Sequence, residues 1–403
     1  MKKLEKSVPV IRFKGFSEAW EQRKLGDIAN YRNGKAHEQV EDEDGKYTII
    51  NSKFISTNGK VQRYTNEQVE PIFDGEIAMV LSDLPNGKAL AKLFLVKEDG
   101  KYTLNQRIAG ITPNENIDPI FLNFRMNRNN YFLKFDSGVT QTNLSKSQVE
   151  NFIALYPTFD EQYKIGLFFT QLDDTIALHQ RKLDALKLMK KAFSQQIFPE
   201  NNRKKPKIRF TSFYEEWEQR KIGEYGYFYY GKSAPKWSVA QDATTPCVRY
   251  GELYTKFGPE IDIVHSYTNI DKSNLKFSSG NEVLVPRVGE NPLDFANCSW
   301  LSISNVAIGE MISVYNTEQY PLFIAYYFRS KMKYEFAKRV EGGNVSNLYY
   351  SYLEDILISV PSIEEQKKIA EFLNKIDITI NLLQNKLGRI KELKKAYLQN
   401  MFI

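Results

Sequence analysis

The chain has 403 residues, with a 42% hydrophobic and a 26% charged share, which leaves room for two or more domains of about 100–200 residues and excludes a disordered or low-complexity protein. Lys plus Arg (55) exceed Asp plus Glu (49), a mildly basic balance that is compatible with nucleic acid without requiring it. Two cysteines, Cys247 and Cys298, and three scattered histidines, His37, His179 and His265, exclude a disulfide framework or a Cys/His zinc site; with no apolar run near about 18 residues and no signal-peptide core in MKKLEKSVPV, a cytoplasmic setting without a membrane partner is expected.

In chain order the first element is half of an internal repeat. Residues 9–35 read PVIRFKGFSEAWEQRKLGDIANYRNGK, and residues 206–232 read PKIRFTSFYEEWEQRKIGEYGYFYYGK, a constant offset of 197. Ile11-Arg12-Phe13 matches Ile208-Arg209-Phe210, Trp20 matches Trp217, the Glu-Gln-Arg-Lys runs coincide, and both copies end in Gly-Lys. Between this block and the next the halves diverge, apart from echoes such as Asn143-Leu144 against Asn347-Leu348. A shared start, a private middle and a shared end predict two units of one fold with different ligands.

The shared end follows Pro157 in the first half and Pro361 in the second. Positions spaced alternately by four and three are Ile165, Phe169, Leu172, Ile176, His179, Leu183, Leu186, Lys190, Phe193 and Ile197, then Ile369, Leu373, Ile376, Ile380, Leu383, Leu387, Ile390, Lys394, Tyr397 and Met401. This 3.5-residue apolar period marks a coiled-coil seam. Asp160-Glu161 and Glu364-Glu365 lie in the first turns, where the helix dipole favours acids. The narrow stripe favours helix pairing with helix, with Leu172, Ile176, Leu183, Leu186, Ile376, Ile380, Leu387 and Ile390 as its seam; a pseudo-twofold would make the pair antiparallel. A lone histidine on the seam, His179, is expected to pack rather than react.

Gly226 to Ser233 matches the phosphate-loop pattern letter for letter, yet its middle is Tyr-Phe-Tyr-Tyr, too bulky for backbone amides to wrap phosphate. Asn291-Pro292-Leu293-Asp294 lacks the second proline of an adenine-methyltransferase tetrapeptide. No catalytic site is assembled, so a nucleotide-binding enzyme and a stand-alone methyltransferase rank behind a binding protein; a coiled-coil scaffold without DNA specificity is the other alternative. The private middles carry polar, basic and aromatic side chains of the types that can read base edges and neutralise phosphate, the candidate contacts of a DNA-binding protein. In the first they are Tyr31, Lys35, Asn51, Lys53, Lys60, Arg63 and Tyr64; in the second, Tyr230, Lys232, Lys236, Trp237, Arg249, Tyr250 and Arg287.

These blocks, with Gly75–Val80 against Asn281–Arg287 and the repeated E-Q-x-K-I…Q-x-K-L…K-K-A-[FY] helix, resemble the specificity subunit of type I restriction–modification enzymes, closest to Gram-positive members. The resemblance covers nearly the whole chain. It implies an α+β fold: two similar mixed α/β target-recognition domains, residues 1–158 and 201–360, each followed by a long helix, residues 159–200 and 361–403, pairing as an antiparallel coiled coil. It also implies double-stranded DNA, two methyltransferase subunits and restriction subunits as partners. The cofactors S-adenosylmethionine, ATP and Mg would sit in those partners and none in this chain. Family members often carry an Arg after the strand that follows Gly-acid; the second half keeps Arg287, whereas the first has Leu81-Ser82-Asp83.

Overall fold

The computed structural model describes residues 8–37, 39–85, 87–200, 203–232, 234–239 and 242–402. Ser233 of the phosphate-loop match and the first seven residues lie outside them. The chain divides into two compact units, residues 1–180 with 386–403, and residues 181–385. Each unit takes part of both long helices, Phe159–Gln196 and Ile363–Met401.

In the first unit an antiparallel sheet runs in the order Ala29–Asn33, Ile108–Pro113, Ile77–Val80, Leu93–Leu95. A second four-stranded sheet is built on Tyr47–Ile50 and Tyr102–Leu104, which pair in parallel. In the second unit the order is Gly226–Tyr230, Ile312–Thr317, Glu282–Pro286, Ser299–Leu301, Glu260–Ile261. The central strands Ile77–Val80 and Glu282–Pro286 are buried along their whole length, as strands covered on both faces must be.

The repeated blocks are scaffold. Each Glu-Gln-Arg-Lys run is a strand that pairs antiparallel with the strand entering the long helix, Glu21 opposite Tyr156 and Glu218 opposite Val360. Trp20 and Trp217 are buried beneath. Arg12 clamps Glu161 through Nε and Nη2, both at 2.7 Å, and Arg209 clamps Glu365 at 2.8 and 2.7 Å. The adjoining glutamine ties the helix start down: Gln162 Nε2 donates to the Pro157 carbonyl and Gln162 Oε1 accepts from Asp118 N, while Gln366 does the same with Pro361 and Tyr320. Phe13 meets Phe168 edge-on, as Phe210 meets Phe372.

The seam positions are buried or half-buried in both long helices. Leu183, Ile376, Ile380 and Leu387 are buried, and Leu172, Ile176, Leu186 and Ile390 half-buried. His179 is half-buried among them. Within the first unit Lys394 Nζ lies 2.5 Å from Asp173 Oδ1 and Phe168 meets Tyr397. Within the second, Lys190 Nζ lies 2.5 Å from Asp377 Oδ1 and Phe193 meets Phe372. In each unit the earlier residue of one helix meets the later residue of the other, so the segments run antiparallel. The lysine that interrupts each apolar seam thus has an aspartate waiting on the opposed helix.

Lys190→Ala leaves the Asp377 carboxylate, 16% exposed, with the Tyr326 hydroxyl at 2.8 Å as its remaining hydrogen-bond partner. The expected loss is about 1–3 kcal/mol, below the figure for a fully buried pair, read as a fall in thermal midpoint. An unchanged midpoint would show the pair to be inert.

Candidate nucleic-acid interface

Both copies need Gly before Lys because the backbone closes on a neighbour. A Cβ on Gly34 would meet the Asn105 carbonyl at 2.1 Å, and one on Gly231 the Gly309 carbonyl at 2.1 Å. Gly34 N donates to Ile108 O and Gly231 N to Ile312 O, so the glycine continues the sheet. Gly226–Tyr230 is a paired strand rather than a phosphate-binding loop. In the tetrapeptide Asn291–Asp294, Asn291 caps the short 3-10 helix Pro292–Ala296, its Oδ1 accepting from Leu293 N.

Beyond the ends of the central strands lies an exposed segment in each unit. Ser82–Asp83 pairs with Thr142–Asn143, and residues 139–141 before it are exposed. Val288–Gly289 pairs with Ser346–Asn347, which also pairs with Glu341–Gly342, and residues 341–345 are exposed. Val139 and Val345 are 80% and 52% exposed, apolar groups facing solvent at the tips. The Asn-Leu echo is the anchor of this segment: Leu144 N donates to Leu81 O, and Leu348 N to Arg287 O.

In the second unit this edge is aromatic and cationic. The Arg287 guanidinium carbon lies 4.5 Å from the Tyr230 ring centre and 5.5 Å from that of Tyr349. Tyr230 rests on Tyr350, which stacks on Phe228. Burial raises the Tyr230 pKa, and Arg287 opposes it. Arg287 has no carboxylate partner among the described residues, and its buried Nε has no hydrogen-bond acceptor. Two rings therefore hold a guanidinium in place without neutralising it, which favours an external anion or a guanine edge. Lys276 donates to the Tyr230 carbonyl at 2.8 Å, and Lys232 to that of Ser273 at 3.4 Å. Lys232 lines a cleft of about 650 Å³ with Trp237, Asn269, Asp271 and Asn274, and Trp237 is 81% exposed. Lys236 is exposed on the same turn as Trp237. Arg249 precedes the helix Tyr250–Thr255, and Tyr250 lines a separate cleft with Tyr254, Asn291 and Asp294. The structure thus gathers Tyr230 and Arg287, sets Lys232 and Trp237 on one cleft and Tyr250 on another, and leaves Lys236 exposed on the turn that carries Trp237.

The first unit is different at matched positions. Asn33 stands where the second unit has Tyr230, since Asn33 faces Ala109 as Tyr230 faces Ser313. Tyr31 is half-buried, with burial pushing its pKa up to about 12 and Glu150 adding to the rise. Its hydroxyl donates to Asn33 Oδ1 at 2.6 Å, and Lys146 Nζ lies 5.8 Å from its ring centre. Lys53 and Lys60 are exposed without ion-pair partners among the described residues. Lys35 is exposed but lies 3.1 Å from Glu70, and Arg63 lies 2.9 Å from Glu41. Those carboxylates must be displaced before Lys35 or Arg63 neutralises phosphate. Asn51 is a helix cap, accepting from Phe54 N at 2.8 Å.

Sequence reasoning passed over the neighbouring Arg32. It binds Glu76 through Nη1 and Nη2, both at 2.6 Å. Burial works to raise the Glu76 carboxyl, but hydrogen bonds from Arg32, Thr112 and the Phe73 N–H outweigh it and hold the pKa below its ordinary 4.5. A depressed carboxyl contributes stability that is present above pH 4.5 and lost as pH falls through its folded value. Glu76→Gln is expected to flatten the fall in thermal midpoint between about pH 5 and 3; an identical acid-side slope would assign that loss to other groups.

Among the described residues no group of three or more His, Cys, Asp or Glu is placed to hold a metal ion. Among the same described residues no helix is long and apolar enough to cross a membrane.

Comparison with known proteins agrees with this doubled arrangement. The family described as "Type I restriction modification DNA specificity domain" matches residues 17–188 and again residues 214–392. Two proteins of Methanocaldococcus jannaschii, described as specificity subunits of the type I restriction enzymes MjaX and MjaVIII, are each 25% identical over 404 residues, covering 94% of this chain and 91% of the relative. The crystal structure of the S subunit of a type I restriction–modification system from M. genitalium superposes with a TM-score of 0.63 at 12% identity, covering 98% of this chain and 99% of that one. The two matched segments contain both strand-to-helix scaffolds and both variable edges, and the chain belongs to the type I restriction–modification DNA specificity family, as a specificity subunit with two recognition units.

Proposed function

We propose that the chain is the non-catalytic reader of a bipartite, asymmetric DNA site. Each unit grips one half of the site. The long helices set the unspecified spacer and dock two methyltransferase subunits, which supply S-adenosylmethionine and the adenine chemistry. Restriction subunits, with ATP and Mg, join that core. The observation that carries this reading is one scaffold used twice with different side chains at matched edges, Tyr230 and Arg287 in one unit against Asn33 and Leu81 in the other. Equal scaffolds with unequal edges favour two different half-sites.

Arg287→Ala in the assembled complex tests it. Losing a guanidinium that contacts a base edge is expected to cost about 1–3 kcal/mol of specific duplex binding. Discrimination should relax in one half-site and stay intact in the other. Full retention of affinity and selectivity, or methylation by the purified chain alone, would contradict the reading.

A further inference from the structure

The strands that bear the two edges pair in the same register, Val80 opposite Ile108 in the first unit and Pro286 opposite Ile312 in the second. One residue further on, Leu81 N donates to Arg107 O at 3.0 Å, and Arg287 N donates to Met311 O at 3.0 Å. Leu81 O and Arg287 O accept from the matching residues Leu144 and Leu348. Leu81 and Arg287 therefore occupy one position of the fold, and Arg107 and Met311 occupy its cross-strand partner. Arg107 and Met311 are the turn residues immediately before the strands Ile108–Pro113 and Ile312–Thr317, Met311 with a φ of 63°. Each unit thus has one arginine and one long aliphatic side chain in this pair, with the two places exchanged.

Leu81 is buried, at 8% exposure, whereas Arg107 is exposed. Four other arginines of the first unit are taken by carboxylates: Arg12 by Glu161, Arg23 by Glu21, Arg32 by Glu76 and Arg63 by Glu41. Arg107 has no hydrogen-bond or ion-pair partner for its side chain among the described residues. It stands at the root of the exposed segment that ends in Thr142–Asn143, as Arg287 stands at the root of residues 341–345.

We propose that Arg107 is the DNA-contacting guanidinium of the first unit, supplied from the turn opposite the place that supplies Arg287 in the second. Its ligand is an acceptor of duplex DNA, a phosphate oxygen or the O6/N7 edge of guanine. The proposal rests on the DNA-reading function above.

The test uses the chain assembled with its methyltransferase partners and a fluorescent duplex carrying the site mapped by methylation. Arg107→Met is expected to weaken binding about 5- to 100-fold with an unchanged thermal midpoint, because the side chain is exposed and unpaired. A phosphate contact would weaken all duplexes alike and lower the salt slope; a guanine contact would relax selectivity at one position of one half-site. Either result supports the assignment. If the native complex selects its site and Arg107→Met binds within about 2-fold of it, Arg107 is not a contact and the DNA-reading function stands. If the native complex fails to distinguish the mapped duplex from a scrambled one, both fall.

Discussion

Glu365→Ala in the intact chain is expected to lower the stability of its unit by about 3–5 kcal/mol, the cost of leaving one partner of a buried ion pair without the other. The Glu365 side chain is 1% exposed, and Arg209 meets it with two parallel hydrogen bonds. At roughly 2–4 °C per kcal/mol the thermal midpoint should fall by about 6–20 °C. Glu161→Ala should do the same to the other unit, since Arg12 clamps a fully buried Glu161 with matching geometry. Replacing both partners, as in Arg209→Met with Glu365→Leu, should restore most of the loss, because no charge is left stranded. A fall below about 1 kcal/mol for the single change would mean that the clamp does not hold the helix start.

That clamp explains which parts of the architecture were legible in the sequence. Ile-Arg-Phe recurs with Trp and Glu-Gln-Arg-Lys because the segment does the same work twice, and the acid-Glu-Gln of each long helix recurs because Arg and Gln contacts need it. The repeat is visible in the letters; the pairing of Arg12 with Glu161, 149 residues away, is not. The seam was legible for the same reason that helices pair, since its period is local. The interrupting lysines were legible as a matched oddity, and their partners Asp173 and Asp377 were not, because those acids lie on the opposed helix.

The edges were less legible. Lys35 and Arg63 read as free cations in the chain, but folding sets them against Glu70 and Glu41. Asn51 reads as a base reader and caps a helix. Arg107 sits between Gln106 and Ile108 with nothing in its local pattern to mark it. Its position becomes meaningful only when two strands are aligned and Leu81 is found opposite. Side chains that answer to distant strands carry no local period.

The second large effect concerns specificity rather than stability. Exchanging residues 36–140 for those of a relative should replace one half of the recognised DNA site and leave the other unchanged. The segment begins after the Gly34-Lys35 closure and ends in the exposed stretch before the Leu144 anchor, so the closure and the anchor that the two units share are both kept. If two base pairs of the half-site differ between the parents, the old site should lose about 2–6 kcal/mol of binding to the hybrid. Methylation should move to a hybrid site that joins the relative's half to the native one. Changes in both halves would mean that the units do not read independently.

The central claim is that this one chain reads two different half-sites held at a fixed spacing. Mapping methylated adenines in DNA exposed to the assembled complex tests it most directly. The expected result is one split motif with two unlike halves, a spacer of constant length and indifferent sequence, and a methylated adenine in each half. A continuous motif, a palindrome with equal halves, or a spacer of variable length would contradict it.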